Sequence, residues 1–153
     1  MSRRLFNAGF SSSTYVITRT LASKVAVQDL KILGVGAGNK PVADAQKQLA
    51  SLGYKQTKIF GIYNTKKSDQ EFINALKEKQ WDVVALGGYV NGFDQAPKYH
   101  EEGISTDRAE ILHWFNRILN LVHKLAPNAK IVLLKGPQDL PDALERVVNQ
   151  EKN

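Results

Sequence analysis

Cysteine is absent from this 153-residue chain, which excludes disulfides, zinc–thiolate centres and thiol nucleophiles together. Histidine is scarce: His100, His113 and His123 are the full set. Two of these fall in one apolar-periodic segment, which is unsuited to a histidine metal site, so no metal is expected. No apolar run approaches the ~20 residues of a membrane-spanning helix. No Gly-x-Ser-x-Gly elbow exists to raise a serine nucleophile. What remains is an ordinary globular composition, 42% hydrophobic and 24% charged, long enough for one domain with a real core.

Acidic residues are missing from the first 28 positions, which hold Arg3, Arg4, Arg19 and Lys24 and so contribute +4 of the formal +6. The rest of the chain is nearly balanced, which removes most of the case for a nucleic-acid partner. Residues 1–14 are rich in arginine and hydroxyl side chains, with Leu5, Phe6 and Phe10 as an apolar side. That is the composition of a mitochondrial transit peptide, and residues 1–29 are read as an N-terminal extension of this kind. The same stretch supports a second reading. Thr14-Tyr15-Val16-Ile17-Thr18 is β-branched and aromatic, suited to an ordered edge strand.

From residue 30 to residue 153 the pattern alternates strand and helix. Lys31–Val35, Thr57–Tyr63, Asp82–Leu86 and Lys130–Leu134 read as strands, the third without alternation, as in a sheet covered on both faces. Helical spacing follows each strand. Val42, Ala45, Leu49 and Leu52 share one face before Gly53, and Ser68 with Glu71 reads as a capping box ahead of Phe72, Ala75 and Leu76. Thr106-Asp107 caps a helix over residues 108–125, and Asp139 with Pro141 opens the last one. Four βα units of this kind imply a single α/β domain: a doubly wound parallel sheet in a three-layer, Rossmann-like sandwich with right-handed crossovers.

The helix at 108–125 carries more apolar residues than one core face absorbs. Ile111, Trp114, Phe115, Ile118, Leu121, Val122 and Leu125 form a broad stripe, extended sideways by Leu112 and Leu119. A helix apolar over most of its circumference is covered on two sides. The expected cover is a second copy, giving a homodimer through this helix; the N-terminal extension is the other option.

Four glycine-bearing stretches punctuate the strand ends: Gly34 to Pro41, Gly61 to Lys66, Gly87 to Gly92 and Lys135-Gly136-Pro137. In an open parallel sheet these ends form the rim where ligands bind. The first stretch falls short of a dinucleotide fingerprint because Asn39 stands where the third glycine belongs. It falls short of a P-loop because Asn39 and Pro41 replace glycine and the magnesium-binding hydroxyl. What survives is a flexible backbone and Lys40 near a helix start, where exposed N–H groups favour an anion. The expected ligand contacts are Gly36, Gly38, Asn39, Lys40, Lys66, Gly88, Asn91 and Lys135. The same glycines would serve equally if strand and helix merely pack closely. No cofactor is indicated.

Trp81-Asp82-Val83-Val84, the run from Trp114 to Ile131, and Gly136-Pro137-Gln138-Asp139 resemble a group of short uncharacterised flavodoxin-like α/β proteins, over roughly the region from Lys31 onward. The resemblance implies the fold and no established activity. In that group an arginine-glycine pair follows the third strand, where this chain has Asn91-Gly92. Response-regulator receiver domains and flavodoxins are similar at the level of fold. Their acidic magnesium ligands and hydroxyl-rich phosphate loop have no counterparts here.

The stretch from Gly87 to Ser105 is too long for an ordinary connection and has the length of a lid or binding loop. His100 beside Glu101 and Glu102 is the candidate general base; the cluster reads equally as solvated loop. Three functions therefore stand open. The first is binding of an anionic or nucleotide-like small ligand at the rim. The second is a non-catalytic homodimeric interaction module using helix 108–125. The third is a small hydrolase or isomerase using loop 88–105.

Overall fold

A computed structural model describes residues 26–87 and 103–149 of the chain. Four parallel strands form one sheet in the order β2-β1-β3-β4: β1 (Lys31–Ala37), β2 (Gln56–Ile62), β3 (Val83–Leu86) and β4 (Lys130–Leu133). Among the described residues, four α-helices connect and close it: α1 (Val42–Ser51), α2 (Lys66–Glu78), α3 (Arg108–Leu125) and α4 (Leu140–Asn149). Short 3₁₀ turns precede β1 (Val27–Asp29) and α4 (Pro137–Asp139).

Alternation along the strands divides the core into two. Leu33, Val35, Val84 and Leu86 point to one face, where Phe72 and Leu76 of α2 and Trp114, Ile118 and Val122 of α3 cover them. Ile32, Val83, Ala85 and Val132 point to the other, against Leu49 of α1 and Ala143 and Leu144 of α4. Helices on both faces of a parallel sheet make three layers. The chain leaves β1 for β2 on one side and crosses to β3 on the other, so strand order reverses between β1 and β3. In such sheets the crevice beyond the strand ends at this reversal is where ligands bind.

Several sequence expectations need correction in detail. β1 runs two residues past its expected end at Val35, so Gly36 lies inside the strand, as Gly34 in β1 and Gly61 in β2 were expected to. The cap of α2 is Thr65: its Oγ1 accepts the Ser68 N–H at 3.2 Å, while the Ser68 Oγ accepts the Tyr63 N–H at 2.8 Å. Ser68 is therefore the third residue of the helix, one turn later than the capping-box reading placed it. Asp107 caps α3 as expected, with Oδ1 accepting from the Ala109 and Glu110 N–H groups. Gly53 follows α1 in a left-handed conformation, φ 86°, which ends a helix at little cost only for glycine.

Trp114 is only 2% exposed, packed within the subunit. Of the broad apolar stripe expected on helix 108–125, Trp114 therefore belongs to the subunit's own core. The apolar surplus of α3 that does reach the surface is Leu112, 57% exposed, with Phe115 and Leu119 half-buried. Among the described residues no helix is long and apolar enough to cross a membrane.

Candidate functional site

The rim is shaped by how the β1–α1 connection folds back. Gly38 turns left-handed, φ 73°, and its N–H donates to the Ile62 carbonyl at 3.0 Å. The next N–H, of Asn39, donates to the Tyr63 hydroxyl at 3.2 Å. These bonds lay the connection directly over the end of β2. A Cβ on Gly61 would collide there with the Gly38 carbonyl, so Gly38 and Gly61 serve the fold. Gly87 is tied similarly, donating to the Val35 carbonyl at 2.7 Å, with a virtual Cβ only 3.1 Å from that oxygen.

Gly36 is different. A Cβ there would meet nothing within 4 Å, and the residue is not among those with positive φ. Neither backbone conformation nor crowding requires glycine at this position. The open space is a cavity of about 240 Å³ on the α1/α4 face of the rim. Gly34 and Gly36 form its floor, Pro41, Ala45 and Leu49 one wall, and Leu134, Gly136, Pro137 and Leu140 the other, with Lys135 and Gln138 at that second wall. The lining is predominantly apolar. Such a chamber receives a ring or short chain and leaves a polar group outside it.

A second cavity, about 640 Å³, opens on the α2/α3 face. It is bounded by connections and helix ends: Asn39, Tyr63, Thr65, Ser68, Glu71 and Trp114 are among its residues. Trp114 is buried with its indole N–H unpartnered, whereas the Trp81 indole N–H donates to the Ala75 carbonyl at 2.9 Å. Arg117 of α3 clasps α2 beside this cavity, with Nε 2.7 Å from Asp69 Oδ2 and Nη2 2.6 Å from Asn64 Oδ1.

The expected ligand residues are thus divided. Gly36 and Lys135 line the apolar cavity. Asn39 lines the polar one on the opposite face, and Gly38 holds the connection between them. Lys40 and Lys66 line neither cavity. Gly88, Asn91 and His100 lie outside the described residues, as does most of the loop assigned to reaction chemistry. Sequence reading missed Gln138, Gly136 and Pro41 as lining residues, although the glycine and proline signals flanking β1 and β4 mark both places. Ala45, Leu49, Leu134 and Leu140 carried no separate signal, because an apolar residue facing a cavity and one facing a core look alike in sequence.

Among the described residues, two titratable groups are displaced from their ordinary values, both away from the cavities. Burial, reinforced by the nearby Glu145 charge, raises the Tyr54 phenol. A hydrogen bond from Lys58 holds the Glu78 carboxyl below the usual range. Among the described residues, no cluster of three His, Asp or Glu side chains is arranged to hold a metal ion.

The chain matches no protein-family model, no curated protein and no solved structure. The site is therefore read from its geometry.

Proposed function

We propose that this protein binds a small ligand at the strand-end rim, placing an apolar ring or short chain in the cavity above Gly34 and Gly36. The ligand's anionic or nucleotide-like remainder lies outside, beside Lys135 and the first turn of α1. The observation that carries this reading is Gly36. Its missing side chain is explained by neither conformation nor packing, and it keeps open a cavity at the point where strand order reverses. At about 240 Å³ the cavity is smaller than the roughly 300–1,000 Å³ of pockets that enclose a whole drug-sized ligand. Only one moiety enters, then, and the charged part stays at the rim. Among the described residues, the strand order 2-1-3-4 supports a flavodoxin-like reading of the layout.

A thermal-shift screen with nucleotides, flavins, coenzyme A and sugar phosphates tests the proposal. A binder raises the melting temperature with the logarithm of its concentration. Gly36→Leu projects into the cavity from a position where a Cβ meets nothing within 4 Å, and is expected to abolish the rise while leaving the far-UV spectrum unchanged. Lys135→Ala is expected to weaken it. Equal shifts in the wild type and Gly36→Leu would remove the cavity from the function.

The acid-free, arginine-bearing start of the chain supports a mitochondrial address in the same proposal. Residues 1–29 fused to a fluorescent reporter should carry it into mitochondria, and a diffuse signal would reject the address.

A further inference from the structure

We infer that the ring received by the rim cavity is the adenine of a purine nucleotide, read along its amino edge by the Gln138 amide. The inference rests on the rim-binding reading above and names the ligand class within it. Size sets the first bound. An engineered apolar cavity of about 150 Å³ holds one benzene, six heavy atoms. Scaled by heavy atoms, the ten of adenine need about 250 Å³ and the fourteen ring atoms of a flavin about 350 Å³. The cavity, at about 240 Å³, matches adenine and is too small to enclose a flavin. Shape sets the second bound. Gly34 and Gly36 face the cavity from alternate positions of β1, about 6.6 Å apart along the strand. Without side chains there the floor is bare backbone, flat at each peptide, and a planar ring lies against it.

Chemistry sets the third. Among the described lining residues only Lys135 and Gln138 have polar side chains, and neither is acidic. An amine or other cationic group would find no countercharge in this lining. Gln138 offers a planar primary amide, with an acceptor oxygen beside a donor nitrogen. Gly136 makes room for it. The Gly136 backbone is extended, φ −175° and ψ 177°, a conformation open to any residue. A Cβ at Gly136 would meet the Gln138 amide first, with Oε1 at 2.9 Å, Nε2 at 3.0 Å and Cδ at 3.2 Å. The missing side chain thus lets the amide lie against the cavity wall. Adenine presents the complement, an amino donor beside a ring-nitrogen acceptor, which a glutamine amide pairs at both atoms. The corresponding edge of guanine presents two acceptors, and an alkyl chain presents neither group. With the base so placed, the ribose phosphate leaves over the rim on the side of Lys135.

Calorimetric titration of the full chain with AMP, purine riboside 5′-monophosphate, phenyl phosphate and FMN tests the assignment. The second probe differs from AMP only in lacking the amino group. AMP should bind most tightly, and loss of the amino group should weaken binding about 10-fold. Gln138→Leu should bring the two to equal affinity. Gln138 is exposed, so the circular dichroism of this variant should match the wild type. Gly136→Ala should weaken AMP binding by displacing the amide, and Gly36→Leu should abolish it. A preference for AMP over the second probe that persists in Gln138→Leu would overturn the reading by Gln138. FMN or phenyl phosphate bound as tightly as AMP, and lost in Gly36→Leu, would overturn the adenine assignment while keeping the cavity as the ligand site. No binding of any of the four would overturn it as well, and the rim reading would then stand or fall by its own wider screen.

Discussion

The two faces of the sheet share the same four strands and end differently at the rim. On the α2/α3 face, Val35, Ala37, Ile62 and Leu86 fill the space beneath Phe72 and Trp114. The cavity on that side is bounded by connections and helix residues, with no strand residue in its lining. On the α1/α4 face, Gly34 and Gly36 occupy alternate positions of the same strand, and the cavity reaches down to Ile32 and Ala85. One strand, β1, thus builds a packed layer on one side and a chamber on the other. The difference lies in two missing side chains, and it shows how a ligand site can be opened at a sheet without disturbing the opposite core.

Substitutions on each face should separate these roles. The largest effect is expected from Trp114→Ala. Removing a fully buried indole from the α2/α3 face should lower unfolding free energy by about 3–5 kcal/mol, measured by urea denaturation. A loss below about 1 kcal/mol would mean that this face is loosely packed after all. Gly61→Ala should come next, costing about 1–3 kcal/mol, because the new methyl must push the β1–α1 connection off β2. Gly36→Ala, on the same face, should be neutral or stabilising by up to about 1 kcal/mol, since it reduces unfolded-state freedom without a clash. Equal losses at Gly61 and Gly36 would erase the distinction between a fold glycine and a cavity glycine.

The smallest effect belongs to the Lys58–Glu78 pair, outside both cavities. Glu78 titrates below the ordinary carboxylate range in the folded chain because Lys58 donates to it. Its contribution is therefore present above the unfolded-state pKa and disappears as pH falls through the folded-state value. Glu78→Gln should lower the melting temperature slightly near neutral pH, and the two melting curves should merge in acid. A gap that widens on acidification would give the pair the opposite sign.

Much of the architecture was legible from local chemistry. The four strands, the Gly53 helix end and the Asp107 cap each depend on residues within a few positions of one another, and all are seen. The errors also have local causes. Ser68 and Glu71 satisfied a capping-box spacing, yet Thr65 was better placed to accept the Ser68 N–H. Gly36 fell beyond a strand expected to end at Val35, although it continues the ladder by pairing with Gly61 of β2. The candidate site was less legible. The rim was the right region, and Gly36 and Lys135 fall at its cavity, but Asn39 turned to the other face and Lys40 and Lys66 to neither cavity.

The chain by itself determined that strands and helices alternate, that both sheet faces are covered, and that thiol chemistry is excluded. Those properties follow from residue type and short-range periodicity. Only the tertiary structure decided what each glycine is for, because that depends on which distant backbone passes overhead. Gly38 lies across Gly61, while nothing lies across Gly36. It also decided that Trp114 is buried in the core and Leu133 half-exposed, since burial depends on strand order, and strand order is set by which non-local pairings bury the most apolar surface.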